Sequence, residues 1–399
     1  MSASDGKANS ILRESDEQEI SPLELLFDLV FVLGVSQLTR HLLDHTTWRG
    51  TAETLILYVP VYLVWFYTSW AATLYSLNHP PVRWMMITAM VIGLLLNASL
   101  DRAFTSASWI FVLSLLVIQV GRTLWMLSTP LDSTNQDHFR RVLVWLAITA
   151  PLWVTGAALR DQVRLTLWGG AAAIDVAGTW LAHPVALGRL RSEHLQFGGE
   201  HLMERCRLFL LIALGETIVT PGTALARDPT RATSLTGATL AVLGTLCLWW
   251  LYFRTESVVV KHVSKTNDRV YASRMAGNGL FILIAGLIVL AAGNALAIEH
   301  PGSGSTATIP LLLFSGPALF LITQCWYLHL VSGTAPRSHL FALAALLAAV
   351  ALTLPTDALI TQLAVVSVLM GLVLYEHLKD SNAGALPKTS PAGSRKRSD

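Results

Sequence analysis

The chain has 399 residues, of which 53% are hydrophobic and only 14% charged, with a mean hydropathy of +0.53. A composition this apolar excludes an ordinary soluble domain and implies an all-helical, polytopic transmembrane helix bundle. The net charge of +2 excludes a nucleic-acid surface, and the three cysteines, Cys206, Cys247 and Cys325, stand at no metal-ligand spacing and imply no disulfide framework.

In chain order, residues 1–20 are polar and acid-rich, without an apolar core or small-residue cleavage site, and are expected to form a disordered tail. The stretch Ser21–Leu43, SPLELLFDLVFVLGVSQLTRHLL, organises the rest of the chain. Ser21, Pro22 and Glu24 form a helix start, with Ser as cap, Pro in the first turn and Glu three residues after the cap. Asp28 lies one turn deeper on the face of Glu24, beside Phe27 and Phe31. Glu24 reads either as half of a capping box at the water interface or as part of a site. Asp28, a carboxylate inside a span, reads as a member of a buried polar site or an ion pair.

About 12 segments are long and apolar enough to span a bilayer: 22–43, 52–76, 82–100, 106–127, 139–159, 162–183, 202–224, 235–256, 274–298, 308–330, 337–354 and 357–377. Together they make a transmembrane domain over residues 21–379, with a low-complexity, basic, disordered tail over 380–399. Placing both termini on one side gives that side all of the 28 Lys and Arg except Arg40, Arg49, Arg102, Arg160, Arg164, Arg227 and Arg231, so both termini are expected in the cytoplasm. An internal echo pairs Leu33-Gly34 with Leu214-Gly215, Trp65-Phe66-Tyr67 with Trp250-Leu251-Tyr252, and Arg83-Trp-Met with Arg274-Met-Ala, at offsets of 181, 185 and 191 residues. Those offsets predict two six-span halves, 21–185 and 200–379, with a site at their interface.

The polar residues inside the spans are the candidate chemistry. Glu204, Arg205 and Arg207 open the seventh segment, and Glu216 falls about three turns deeper, near mid-membrane. Asp175, in the small-residue context of Gly169, Gly170, Ala171 and Ala172, is placed near mid-depth in the sixth. Structural readings stand beside the functional ones. Glu216 also reads as the partner of an arginine or of nearby hydroxyls, and Asp175 reads equally as a helix-packing polar bond. Gln37 and His41 lie near the far end of the first span. Trp65, Tyr67, Trp250 and Tyr252 fit an interfacial belt or core packing, or else an aromatic-lined pocket for an apolar or cationic ligand. Metal-binding, phosphate-loop and dinucleotide motifs are absent from the sequence, so neither metal nor cofactor is expected.

The words SPLELLFDLVFVLGVSQLTRHLL, Val82-Arg83, Gln119-Val-Gly-Arg122, Ala173-Ile-Asp175, GEHLMERCRLFLLIALGETIVTPG and Trp249-Trp-Leu-Tyr-Phe253 resemble the bacterial low-temperature-requirement A (LtrA) family. The resemblance covers most of positions 21–300 and implies a multi-pass protein of the bacterial plasma membrane. The family name records a phenotype and implies no substrate. Two polar positions depart from the family's habit. Tyr271-Ala-Ser-Arg-Met275 stands where a Tyr-x-His word is frequent, and Arg254 where asparagine or aspartate often comes after the aromatic pair.

The favoured expectation is a membrane-embedded acid/base enzyme, of cyclase or isomerase type, acting on a lipophilic small molecule. Its catalytic acids would be Asp28, Glu216, Asp175, Glu24 and Glu204, balanced by Arg205 and Arg207, with the aromatic residues, Gln37 and His41 around the ligand. The alternatives are a proton-coupled transporter of a small amphipathic solute and a structural membrane-adaptation protein. The expected partners are the bilayer and that ligand, with no nucleic acid and no oligomeric state implied.

Overall fold

Serine, proline and glutamate set the first turn of the bundle. In the computed structural model, which describes residues 20–131, 133–184, 199–263, 269–302 and 307–385, helix α1 (Pro22–Asp44) opens with a complete capping box. The Glu24 amide donates to Ser21 Oγ at 3.2 Å, and the Ser21 amide donates to Glu24 Oε2 at 2.9 Å. Two of the amides that a helix start leaves unpaired are thereby satisfied at the membrane edge.

The chain continues as α2 (Trp48–Leu74), α3 (Pro80–Ala98), α4 (Ser108–Ser128), α5 (Ser133–Ala158), α6 (Asp161–Trp180), α7 (Gly199–Leu214), α8 (Glu216–Arg227), α9 (Ala232–Val263), α10 (Arg269–Glu299), α11 (Thr308–Ser332), α12 (Arg337–Thr353) and α13 (Ala358–Ala385). Helices α7 and α8 form one apolar segment interrupted at Gly215, whose amide bonds to Ile212 O at 2.9 Å, three residues back instead of four. A side chain here would bring its Cβ to 2.8 Å from that same carbonyl. Counted as one segment, the pair gives the described residues twelve helical segments, one for each span expected from the sequence. Ten are long and apolar enough to cross a membrane; α6 and the 17-residue α12 fall outside that set.

The surface confirms the solvent. Leu26, Leu29, Leu95, Leu347 and Leu378 are more than half exposed, whereas Glu24, Asp28 and Arg205 are fully buried. Apolar side chains outside and charges inside is the distribution that a lipid solvent selects, so this is a multi-pass membrane protein in contact with the bilayer.

Helices α2 and α10 are the most enclosed and form the centre. Tyr58 and Tyr62 of α2 donate at 2.5 Å to the carbonyls of Phe281 and Gly277 on α10, tying the two together through backbone atoms. Neighbour order repeats along the chain. Among the first six helices, α1 packs on α2 and α3, α2 also on α3, α4 and α6, and each of α3, α4 and α5 on its successor. The segment formed by α7 and α8, together with α9 to α13, repeats every one of these pairings.

Several limits differ from those read in the sequence. Helix α9 runs to Val263 and α10 begins at Arg269, so most of the basic stretch between the eighth and ninth spans is helical rather than loop. Helix α13 continues to Ala385, taking in six residues assigned to the C-terminal tail. The tails at 1–19 and 386–399 lie outside the described residues, as do the side chains of Tyr271 to Ser273.

Close packing of α10 on α11 rests on paired glycines. A Cβ at Gly316 would lie 2.6 Å from Leu290 Cβ and 2.7 Å from Gly286 O. Gly316→Val is therefore expected to force the two helices apart at a cost of about 1–3 kcal/mol. Thermal unfolding of the detergent-solubilised protein, monitored by tryptophan fluorescence, measures that loss.

Candidate functional site: a buried ion-pair cluster and a mid-span carboxylate

The inner face of α1 carries Glu24, Phe27, Asp28, Phe31 and Val35, spaced three and four residues apart and all buried. Facing it on α7 are His201 and Arg205, also one turn apart. Arg205 Nη2 donates to Asp28 Oδ1 in a short, fully buried ion pair. The same oxygen accepts from Trp65 Nε1 of α2 at 2.8 Å. Glu24 Oε1 stands 3.4 Å from His201 Nε2 and 4.0 Å from Arg205 Nη1.

Rings close the cluster. The Arg205 guanidinium lies 5.4 Å from the centroid of Phe27, and Trp65 stacks on Phe209 with centroids 4.0 Å apart. One cation thus holds two carboxylates, and α1, α2 and α7 meet at it. Among the described residues, the buried Asp28 Oδ2 and Arg205 Nε have no hydrogen-bond partner.

Eight residues beyond Asp28 on α1, about 12 Å along the axis, Ser36 Oγ donates to Glu216 Oε2. Thr220 Oγ1 donates to the other oxygen, Oε1. Glu216 is buried and is the first residue of α8, immediately after the tightened turn at Gly215. Its partners are hydroxyls, and among the described residues it forms no ion pair. The next residue, Thr217, bonds to Leu214 O at 2.7 Å and to Thr245 at 2.8 Å, fastening the turn to α9.

The remaining candidates go elsewhere. Half-buried Asp175 accepts from Trp153 Nε1 at 3.1 Å within the α5–α6 pair and does not join Asp28 or Glu216. Tyr67 bonds to Thr179 at 3.0 Å and His183 at 3.2 Å. Glu204 and Arg207, both half-buried, pair with each other at 3.1 Å rather than with Arg205. The expected common floor of Asp28, Asp175, Glu216 and Glu204 is therefore divided among separate places. His41 Nε2 is 3.7 Å from Glu53 toward the far end of α1, and Gln37 is half-buried. Trp250 lies beside Arg254, whose guanidinium is 5.9 Å from the indole centroid, and Tyr252 lines a cavity of about 40 Å³ with Cys206, Glu256, Gln324 and Tyr327. Among the described residues, no three His, Cys, Asp or Glu side chains are arranged to hold a metal ion.

Residues 19–374 match the family described as bacterial low temperature requirement A protein (LtrA). The chain belongs to the LtrA family. It is 30% identical over 339 residues to the uncharacterized protein RA0937 of Rhizobium meliloti (strain 1021), an alignment covering 84% of this chain and 83% of that one. No solved structure matches it.

Within this LtrA protein, the departure at Arg254 has a local explanation. Its guanidinium pairs with Glu376 at 2.7 Å and with Asp380 at 2.8 Å, both on α13, and Ser338 of α12 donates to Glu376. The sequence gives little sign of this network, because two of its partners sit at the end of the last span. His201 carried a signal that went unused: His201 and Arg205 have the same four-residue spacing as Glu24 and Asp28.

Removing Arg205 leaves two buried carboxylates facing each other, whereas amidating Asp28 leaves Arg205 beside Glu24. Arg205→Met is expected to lose about 3–5 kcal/mol and Asp28→Asn clearly less. Unfolding midpoints of the two variants in one detergent give the order.

Proposed function

We propose that this LtrA protein is a proton-coupled transporter of a small amphipathic solute, with Glu216 as the proton-carrying group and both termini in the cytoplasm. The observation that carries the reading is the setting of Glu216. It is a buried carboxylate held by hydroxyls from two helices and neutralised by no cation among the described residues. It begins the second part of an interrupted span, the type of element from which transporters build ion sites. The hydroxyl of Ser36 reaches it from α1, so a change in its charge acts on the contact between α1 and α8.

Two further observations support a moving assembly. The repeated neighbour order favours two six-span halves, 21–185 and 200–379, which can rock about a shared site. The Asp28–Arg205 pair joins helices of those two halves, and an ion pair can break and re-form between two arrangements.

The enzyme reading keeps one specific support. Phe27, Phe31, Trp65 and Phe209 enclose Asp28 in a manner suited to a cationic intermediate. Against it, Asp28 is held by Arg205, and the cavity lined by Tyr252 and Glu256 contains none of Asp28, Asp175 or Glu216.

The two readings separate in cells. A deletion strain carrying wild-type protein or Glu216→Gln is compared by untargeted metabolite analysis of extract and medium. Transport predicts one compound redistributed between cells and medium by wild type and not by Glu216→Gln. An enzyme predicts replacement of a compound by an isomer of equal mass, which would overturn the transport reading.

A further inference from the structure

Arg122 is a second intramembrane cation, and its surroundings differ from those of Arg205. It lies on α4, six residues before the helix ends at Ser128, and its side chain is 5% exposed. Nη1 donates to Thr68 at 3.1 Å, Nη2 to Gln119 Oε1 at 2.5 Å, and the guanidinium lies 5.4 Å from the Tyr67 ring centroid. All these partners are neutral. Among the described residues no carboxylate pairs with it, and two of its five N–H donors are used. An isolated charge inside a span is costly, and an anion would balance it.

The structure also provides the route by which an anion reaches it. Between α3 and α4 runs a groove of about 460 Å³, walled by Trp84, Met85, Thr88, Val117 and Trp125, with Arg122 among its lining. Gly121 adds open space, since a Cβ there would meet no atom within 4 Å. Trp84 is 66% exposed, and the apolar neighbours Val117 and Leu124 are about half exposed, so the groove opens sideways toward lipid. An apolar channel with a cation in its wall is complementary to a molecule with an acyl chain and an anionic head.

We propose that the α3–α4 groove binds an anionic phospholipid of the surrounding bilayer, its head drawn to Arg122 and one acyl chain laid along Met85, Thr88 and Val117. The lipid balances the Arg122 charge and seals the gap between two helices. This site is separate from Glu216 and stands whether or not the protein is a transporter.

Native mass spectrometry of the purified full-length protein tests it, by titration with palmitoyl-oleoyl phosphatidylglycerol, the phosphatidylcholine of the same chains, and oleate. The wild type is expected to retain one phosphatidylglycerol in preference to phosphatidylcholine. Arg122→Gln is expected to lose affinity for it on the order of tenfold, the worth of a charge-assisted contact. Gly121→Leu, which fills the groove and leaves Arg122 intact, is expected to lose the bound lipid as well, and it keeps the test open if Arg122→Gln does not fold. Equal retention of phosphatidylcholine, or undiminished phosphatidylglycerol binding by either folded variant, would overturn the proposal. Oleate displacing phosphatidylglycerol would overturn it too, assigning the groove to a free fatty acid.

Discussion

Everything near the centre of this bundle depends on how one arginine is kept in an apolar medium. Arg205 is fully buried, and its charge is tolerated because Asp28 and Glu24 approach it from α1. The converse also holds for Asp28, whose charge at that depth is balanced by Arg205. Trp65 adds the third helix by donating to the oxygen that Arg205 already holds. The aromatic residues around the cluster exclude water and thereby strengthen the pairing. In a lipid solvent, where apolar burial does not drive helices together, such polar contacts and close glycine packing fix which helices meet.

Two kinds of acid are consequently present. Asp28 and Glu24 are compensated and join helices α1 and α7; Glu216 is uncompensated and sits where the backbone tightens. The distinction is chemical. A paired carboxylate has its charge balanced by its partner, while one held by hydroxyls has no charge beside it. Ser36 and Asp28 lie on the same helix, so the two acids are mechanically linked through α1.

Much of the fold was legible because hydrophobic length and helix punctuation are local properties. The capping box at Ser21 and Glu24 formed as its spacing required, and all twelve expected segments became helical. Membership of the LtrA family was readable from the two acidic spans. The grouping of the site was less legible, because it depends on rotation of each helix about its axis. Asp175 lies within its expected helix but points into the α5–α6 pair, where Trp153 meets it. Glu204 is one residue from Arg205, and that single step of about 100° turns it outward. The end of α13 lies beyond the expected span because Asp380 continues the helix and pairs with Arg254 across helices rather than marking a loop.

The Asp28–Arg205 contact also bears on how the protein is made. The two residues are 177 positions apart, so Asp28 enters the membrane long before its partner has been synthesised. While the intervening helices are inserted, the Asp28 carboxylate has the Trp65 indole of α2 within reach but not yet its cation. The ribosome must deliver α7 before this contact between the first and seventh helices can form. A chain that stops short of Arg205 lacks the cation that balances that acid.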